Sequence, residues 1–171
     1  HELYDYLAEE VVGDLSEELQ RFLMETSILQ VVDPVLAEVA TDLGAAAIAR
    51  LTSTAERLTL LSRVSSGPRT NQRYHPLVRE FLEARLKTMD GAGSVAARHR
   101  RVAAVAVALD WRTAAYHYRE AGDTAAMLEV VGDAIPTIMG NGQYALAEAF
   151  IGGVDASLRP ARFDLIMSRV D

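Results

Sequence analysis

The residue types that could carry out chemistry are sparse in this chain of 171 residues, and their spacing favours no catalytic centre. Four histidines, at positions 1, 75, 99 and 117, lack the spacing of zinc ligands on a helix, and cysteine is absent. No Gly-x-Ser-x-Gly turn exposes a nucleophilic serine. The adjacent carboxylates at positions 9–10 and 17–18 fall within amphipathic patterns, which predicts solvated helix faces. We therefore expect no catalytic residue and no metal site.

Lysine usage excludes nucleotide hydrolysis by these residues. A Walker A loop needs Gly-Lys-Ser/Thr, so that backbone amides and the lysine can hold the phosphates. The one lysine of the chain, Lys87, follows Leu86 and belongs to no such loop. No cofactor is therefore expected for these 171 residues.

One histidine and three aromatic residues remain as candidates for binding. His75 stands between a tyrosine and a proline, where its imidazole could contact a ligand, cap a helix or bind neighbouring backbone. Trp111, Tyr116 and Tyr118 could line a groove for a partner or ligand. The same helical spacing is also typical of packing between helices. The basic run at 98–101 is predicted to spread over several faces of a helix.

Helical periodicity fills the first part of the chain. An apolar stripe at i, i+3, i+4 and i+8 predicts a first helix with an inward face formed by Leu3, Tyr6, Leu7 and Val11. Ser16 is predicted to cap a second helix, and Asp33-Pro34 to open a third. A fourth helix is predicted at about 45–56.

A hairpin and a further helix follow. A β-rich run, the turn cluster SSGPRTN and a second short run predict strands at 58–64 and 72–74. Pro76 suits the first turn of the next helix, where its missing N–H would have no partner. The side chains predicted to face inward are Leu77, Val78, Phe81, Leu82 and Leu86, and those predicted to face away are Arg79, Glu80, Glu83 and Lys87.

The Gly-rich break MDGAGS at 89–94 predicts a junction between two domains, 1–90 and 91–171. Everything beyond it is predicted to be helical, with Pro136 kinking or interrupting its helix. Residues 111–123 also align with 143–155 at a shift of 32 positions. The matched pairs are Ala115 with Ala147, Tyr118 with Phe150, and Asp123 with Asp155. A period of this size is typical of stacked helical hairpins.

The hairpin followed by RYHPLVREFLEARL at 73–86 resembles the winged-helix domain of large nucleotide-switched transcription regulators. The similarity is to the MalT type, among the signal-transducing ATPases with numerous domains (STAND) and the LuxR family. The opening HELYDYLAEEVVGDLSEELQRFLMETSIL resembles the start of that domain, and the second half resembles the superhelical arm that follows it. The resemblance implies a mainly α fold: a winged-helix domain with a small β-hairpin, followed by an α-α superhelical repeat segment like tetratricopeptide (TPR) repeats.

The same resemblance implies a role for His75. In related switch ATPases a Met-His-Asp motif at this place puts its histidine on the β-phosphate of bound ADP and holds the inactive state. Here the triplet is Tyr74-His75-Pro76, in which the histidine matches and the aspartate does not. The resemblance further implies ATP or ADP as the cofactor of a longer protein, an upstream nucleotide-binding domain of the same chain as a partner, and a LuxR-type helix-turn-helix beyond residue 171.

Charge argues against direct DNA binding by these residues. Residues 1–90 carry 9 basic and 15 acidic side chains, a formal net charge of −6, whereas phosphate neutralisation dominates DNA affinity. The predicted fourth helix is alanine-rich and offers only Arg50 and Arg57 as basic residues. The longest apolar run has eight residues against about 20 for a membrane span, so we expect no membrane partner and a cytoplasmic protein.

The favoured interpretation is a non-catalytic regulatory fragment of an ATP-dependent transcription regulator. Its winged helix would relay nucleotide state, and its helical arm would sense an inducer or a regulatory protein. One alternative is a free-standing winged-helix DNA-binding regulator with a helical effector or dimerisation domain. Another is a helical repeat scaffold that binds proteins only.

Overall fold

A computed structural model describes residues 2–66 and 69–170, and in them the protein is mainly helical with one two-stranded antiparallel sheet. The helices are α1 Glu2–Gly13, α2 Glu17–Thr26, α3 Pro34–Thr41, α4 Ala45–Arg57, α5 Pro76–Asp90, α6 Ala92–Ala106, α7 Trp111–Glu120, α8 Thr124–Asp133, α9 Ile135–Asn141, α10 Tyr144–Ile151 and α11 Asp164–Val170. Strands β1 Leu61–Ser66 and β2 Arg69–Tyr74 form the sheet, and Ala156–Leu158 and Ala161–Phe163 are short 3₁₀ turns. The predicted fold class, a winged helix followed by a helical segment, is confirmed.

The chain divides into two compact units, residues 1–95 and residues 96–171. The boundary falls inside α6, a few residues after the predicted junction. The Gly-rich break is much shorter than predicted, because α5 continues to Asp90 and α6 begins at Ala92. Gly91 alone separates them, at φ 86 and ψ 155, a conformation that glycine adopts without strain. The domain limits 1–90 and 91–171 stay a prediction.

Helix α2 is at the centre of the first unit and packs against α3, α4 and α5. Its buried side chains include Leu19, Phe22 and Leu23, and α5 contributes Leu82 and Leu86 to the same unit's core. The predicted start of α2 is confirmed, because the Ser16 hydroxyl accepts the Leu19 N–H at 3.2 Å. Asp33 caps α3 in the same way, accepting the Val35 and Leu36 N–H groups at 2.8 and 3.4 Å.

The inward face predicted for α1 is wrong. Leu3, Tyr6 and Val11 are exposed by 74%, 62% and 50%, and the side chain of Leu7 lies outside the described residues. The buried residue is instead Val12, one position beyond the stripe. Helix α1 makes its main described contacts with α5, so the face that carries Val12 is the one it buries.

The hairpin pairs Leu61 with Tyr74 at one end and Ser66 with Arg69 at the other, so both strands extend further into the predicted turn than expected. The tip at 67–68 lies outside the described residues. At the open end, Val32 N–H donates to the Gln72 carbonyl at 2.8 Å and adds a single bridge to β2.

Residues 58–60, predicted as strand, instead close the end of α4. Leu60 N–H donates to the Ala55 carbonyl and Thr59 N–H to the Glu56 carbonyl, both at 3.0 Å, which is the Schellman pattern. This pattern requires a left-handed residue, and Thr59 takes that place at φ 60. The strand therefore begins at Leu61, later than the β-rich composition predicted.

In the second unit, α7 and α8 form an antiparallel hairpin of helices that α10 and α11 extend. Asp110 caps α7 and Asp123 caps α8 through their carboxylates. Pro136 lies in the first turn of α9, so the helix predicted around it is interrupted at Ala134, as the proline predicts. The buried side chains that these helices share include Met127, Leu128, Val131, Ala147, Ile151, Phe163 and Ile166.

Within residues 2–66 and 69–170, no helix has both the length and the apolar character needed to cross a membrane.

Thr59→Gly should stabilise the protein by about 0.5–1 kcal/mol. A β-branched residue in the left-handed region is strained by about 1–3 kcal/mol, and glycine removes this strain. The net gain is smaller than the strain, because glycine loses more conformational entropy on folding than threonine does. Urea unfolding of the two proteins measures the difference. Ser53→Gly is the matched control: it places glycine inside α4 and should lower stability by about 0.5–1 kcal/mol. A Thr59→Gly protein less stable than the parent would contradict the Schellman assignment.

Candidate functional site

The turn Tyr74-His75-Pro76 joins the hairpin to α5 and contains the histidine singled out by the sequence. His75 is the N-cap of α5 at φ −56 and ψ 137, and its Nδ1 accepts the Leu77 N–H at 3.2 Å. Pro76 is the first residue of the helix, as predicted. The geometry is that of the capping alternative, and the nucleotide-sensing role of His75 stays a prediction.

Capping fixes the chemistry of the other ring nitrogen. Because Nδ1 accepts a hydrogen bond, the neutral ring carries its proton on Nε2, which is then a donor. The His75 side chain is exposed, so the ring is presented at the surface of the first unit. An exposed imidazole N–H at the start of a 15-residue helix suits an anionic group, because the helix dipole is positive at that end.

Tyr74 anchors the turn on its buried side. Its hydroxyl lies 2.6 Å from the Thr26 Oγ1 and 3.3 Å from the Leu23 carbonyl oxygen, to which it donates. Burial raises the pKa of the Tyr74 hydroxyl far above its usual range, and the hydrogen bond to Thr26 opposes this shift. The hydroxyl therefore remains protonated and holds the end of β2 against the C-terminal turn of α2.

Arg79 anchors the turn from the other side, and its predicted outward orientation is wrong. Its Nε donates to the Ser27 carbonyl at 2.9 Å and its Nη2 to the Ile28 carbonyl at 3.4 Å, while the guanidinium pairs with Glu83 at 2.7 Å. The last carbonyl groups of a helix have no partner inside it and attract cations. The end of α2 is therefore closed by residues on both sides of His75.

Two further ion pairs join elements of the first unit. Arg21 of α2 binds both carboxylate oxygens of Asp90, at 2.8 and 2.5 Å, and fixes the end of α5. Glu56 of α4 accepts from Arg63 of β1 at 2.5 Å and from Gln72 of β2 at 3.1 Å. The Arg63 guanidinium lowers the pKa of Glu56, and the Gln72 amide adds to this effect. The hairpin is thus bound to α4 through both strands.

Helix α4, which a DNA-binding winged helix would use to read bases, has its basic residues engaged. Arg50 binds Glu18 at 2.6 and 3.3 Å and lowers the pKa of that carboxylate. Arg57 donates from its Nη2 to the Thr54 hydroxyl at 3.2 Å. The remaining N-terminal residues of α4 are mostly alanine, which offers no hydrogen bond to a base edge.

In the second unit, Trp111 and Tyr118 lie at a groove and Tyr116 does not, and the role of these three residues in binding a partner or ligand stays a prediction. Trp111 and Tyr118 are seven residues apart on α7, so they share a face, and both line a groove of about 530 Å³. Both also pack against the core of the second unit, so the same two side chains line the groove and take part in packing between helices. Tyr116 is on another face, where its ring meets His117 edge to face at a centroid distance of 5.0 Å.

A buried histidine pair was not found by sequence reasoning. The Nδ1 atoms of His99 and His117 lie 2.8 Å apart, so one donates and the other accepts. The spacing along α6 could have indicated that His99 is buried, because His99 shares a helix face with Val102, Ala103 and Ala106. In the part of the chain that the structure describes, no group of three or more His, Asp or Glu residues could hold a metal ion.

The basic run at 98–101 divides between faces as predicted. Arg98 and His99 are buried, whereas Arg101 is exposed. Arg100 is exposed as well, with its Nη2 3.4 Å from the Ala121 carbonyl oxygen and its Nε 4.0 Å from the Asp123 carboxylate. The run therefore provides no continuous basic patch.

Helices α2 to α4 followed by the β1–β2 hairpin define a winged helix. The sequence profile of the MalT winged helix domain matches residues 8–94, just over half of the chain. The chain therefore belongs to the MalT winged helix domain family, a domain of regulator type. None of the curated proteins matches the chain. The matched range contains His75 and both of its anchors, whereas the groove at Trp111 and Tyr118 lies outside it.

Tyr74→Phe should lower the free energy of unfolding by about 0.5–1.5 kcal/mol, the usual net contribution of one buried hydrogen bond. The ring still fills its place, so the loss isolates the hydroxyl. Urea unfolding followed by circular dichroism gives the value. Tyr6→Phe is the control, since that hydroxyl is on an exposed side chain and its loss should change nothing. Equal stability of Tyr74→Phe and the parent would show that the Tyr74 hydroxyl is no anchor.

Proposed function

We propose that this chain is a non-catalytic regulatory part of an ATP-dependent transcription regulator of the STAND class and LuxR family. Its winged helix relays nucleotide state from an upstream nucleotide-binding domain of the same chain, and its helical unit senses an inducer or a regulatory protein. The observation that carries this proposal is the exposed His75 held between two anchored neighbours. The match to the MalT winged helix domain supports the class of protein.

The chemistry of His75 suits a nucleotide phosphate. Its Nε2–H can donate to a phosphate oxygen, and a hydrogen bond to a charged group is worth about 1.5–3 kcal/mol. Pro76 stands where the motif has an aspartate. It is the first residue of α5, and His75 is the residue that caps this helix. The chain supplies this single donor toward ADP, and the other phosphate contacts belong to the nucleotide-binding domain.

The anchors provide the path of the relay. A displacement of His75 moves Tyr74 and Arg79, which hold the carbonyl groups at the end of α2. Because α2 packs against α3, α4 and α5, a change at the turn reaches the whole winged helix. A contact made in one nucleotide state only is what shifts a two-state equilibrium.

The second unit has features of a TPR-like arm. Asp123 and Asp155, which are 32 positions apart, both cap the following turn, Asp123 at the Ala126 N–H and Asp155 at the Ser157 N–H. The helices that precede them, α7 and α10, pack against each other. The element after Asp155 is a short 3₁₀ turn in place of a full helix, so the repeat is imperfect.

His75→Ala and His75→Asn separate nucleotide sensing from capping. Asparagine retains the capping acceptor, whereas alanine removes it and should cost the 171-residue chain about 1 kcal/mol of stability. In the intact regulator, both changes should weaken ADP retention about ten-fold or more and raise inducer-free transcription, because both remove the imidazole donor. Nucleotide release kinetics, reporter transcription and thermal unfolding measure the three quantities.

The pair of variants gives a clear negative outcome. If His75→Asn retains ADP and basal transcription like the parent while His75→Ala loses stability and activity, His75 is a helix cap only. The relay proposal then fails.

The 171-residue chain should show no saturable binding to duplex DNA at micromolar concentration near 150 mM salt. The formal net charge of −6 over residues 1–90 and the pairing of Arg50 with Glu18 both oppose phosphate contact. Fluorescence anisotropy with a labelled duplex tests this, and a basic winged-helix protein serves as the positive control. Specific binding that persists at this salt concentration would favour the free-standing DNA-binding regulator instead.

A further inference from the structure

We infer that the groove lined by Trp111 and Tyr118 binds an arginine or lysine side chain carried by a segment of a partner protein. The inference rests on the part of the proposed function that gives the helical unit a partner, and it names the chemistry of that partner. It does not depend on nucleotide sensing by His75.

The groove lies among a turn and three helices of the second unit. The turn at 107–110, which follows α6, forms one side, and the aromatic residues of α7 form a second. Helix α8 contributes Ala126, Glu129, Val130 and Asp133, which recur every three or four residues and so share one face, and α9 contributes Thr137. The volume of about 530 Å³ accommodates a long side chain together with part of its backbone.

The charge of the groove has one sign. Its lining contains three carboxylates, from Asp110, Glu129 and Asp133, and none of its described lining residues is basic. Asp110 is already engaged, because its carboxylate accepts from Thr113 at 3.0 Å and pairs with Arg112 at 3.4 Å. It therefore contributes less to binding than the other two.

Glu129 and Asp133 form no ion pair in the part of the chain that the structure describes. A basic group, the Arg162 guanidinium, lies against Gly132 of the same helix. Among the described residues, no cation lies within 4.0 Å of either carboxylate. They are four residues apart on α8, where like charges repel and weaken a helix. A cation bound between them would remove this repulsion.

The aromatic wall complements a cation of this kind. The Trp111 indole N–H lies 3.4 Å from the Gln143 Oε1, and its ring meets Phe150 edge to face at 6.0 Å, so its orientation is fixed. A guanidinium or ammonium group is attracted to the face of an indole or phenol ring, and its apolar stem packs beside it. Neighbouring carboxylates add charge-assisted hydrogen bonds, which favours arginine over lysine.

The openness of the groove indicates a protein segment as the source of the cation. Val107 and Leu109 are exposed by 52% and 48%, so one side of the groove is an apolar shoulder at the surface. A small-molecule site usually encloses most of its ligand. A side chain that enters from a backbone running over Val107 and Leu109 would cover this shoulder.

The single tryptophan of the chain is Trp111, so intrinsic fluorescence reports directly on the groove. The 171-residue chain is titrated at low salt with a capped alanine-based peptide that carries arginines, with the matching glutamate peptide, and with agmatine as a free guanidinium compound. We expect a saturable change with the arginine peptide only, weakened several-fold on raising the salt to about 150 mM.

Glu129→Gln combined with Asp133→Asn should weaken arginine-peptide binding at least ten-fold, while the thermal midpoint stays equal or rises because the repulsion is gone. Glu9→Gln combined with Glu10→Gln is the matched control: it removes two exposed carboxylates from α1 and should leave the affinity unchanged. A retained affinity in the first variant, or an equal loss in the control, would overturn the inference.

The other outcomes are equally decisive. Equal binding of agmatine and peptide would identify a small organic cation as the ligand and overturn the assignment to a protein segment. An absence of saturable binding by the arginine peptide would remove the groove as a cation site. Because these titrations involve no nucleotide, their failure leaves the His75 experiments unaffected, and a failed His75 experiment leaves the groove intact.

Discussion

The carbonyl groups at the C-terminal end of α2 impose the constraint on which the first unit depends. Ser27 and Ile28 are almost completely buried, and their carbonyl oxygens accept from Arg79, 52 and 51 residues later in the sequence. The buried Leu23 carbonyl accepts the Ser27 N–H at 3.0 Å and also the Tyr74 hydroxyl, 51 residues later. A buried polar group left without its partner costs about 1–3 kcal/mol. The segment that leaves the hairpin is therefore held against α2, and the hairpin and α5 take their positions from it.

This constraint explains how one histidine can be both structural and exposed. His75 lies between the two anchors, so its backbone is fixed while its ring is at the surface. The cap of α5 uses Nδ1 as acceptor, so in the neutral ring the proton is on Nε2. Capping and ligand contact, which look like competing interpretations in the sequence, use different atoms of the same ring. A residue with both roles can couple a ligand to the helix that it caps.

Local features were predictable from the sequence and tertiary ones were not. The caps Ser16 and Asp33 were correct, because the capping atom and its partner lie within three residues of each other. Arg79 was placed outward because its partners are brought near only by the fold. Thr59 was missed because a threonine in the left-handed region has no sequence signature, unlike glycine. The contact of His99 with His117 was also missed, because the fold brings together two residues that are 18 positions apart in the sequence.

The carboxylates that join elements of the fold differ from the pair that lines the groove. Glu18, Glu56 and Asp90 each form an ion pair with an arginine of another element. In the groove of the second unit, Glu129 and Asp133 repel each other beside an aromatic wall, and neither forms an ion pair among the described residues. Sequences tend to agree with their folds at every level except at functional sites, where a local cost is retained. Unmatched charge on an open aromatic groove is such a cost, and a positively charged partner is the simplest group that would offset it.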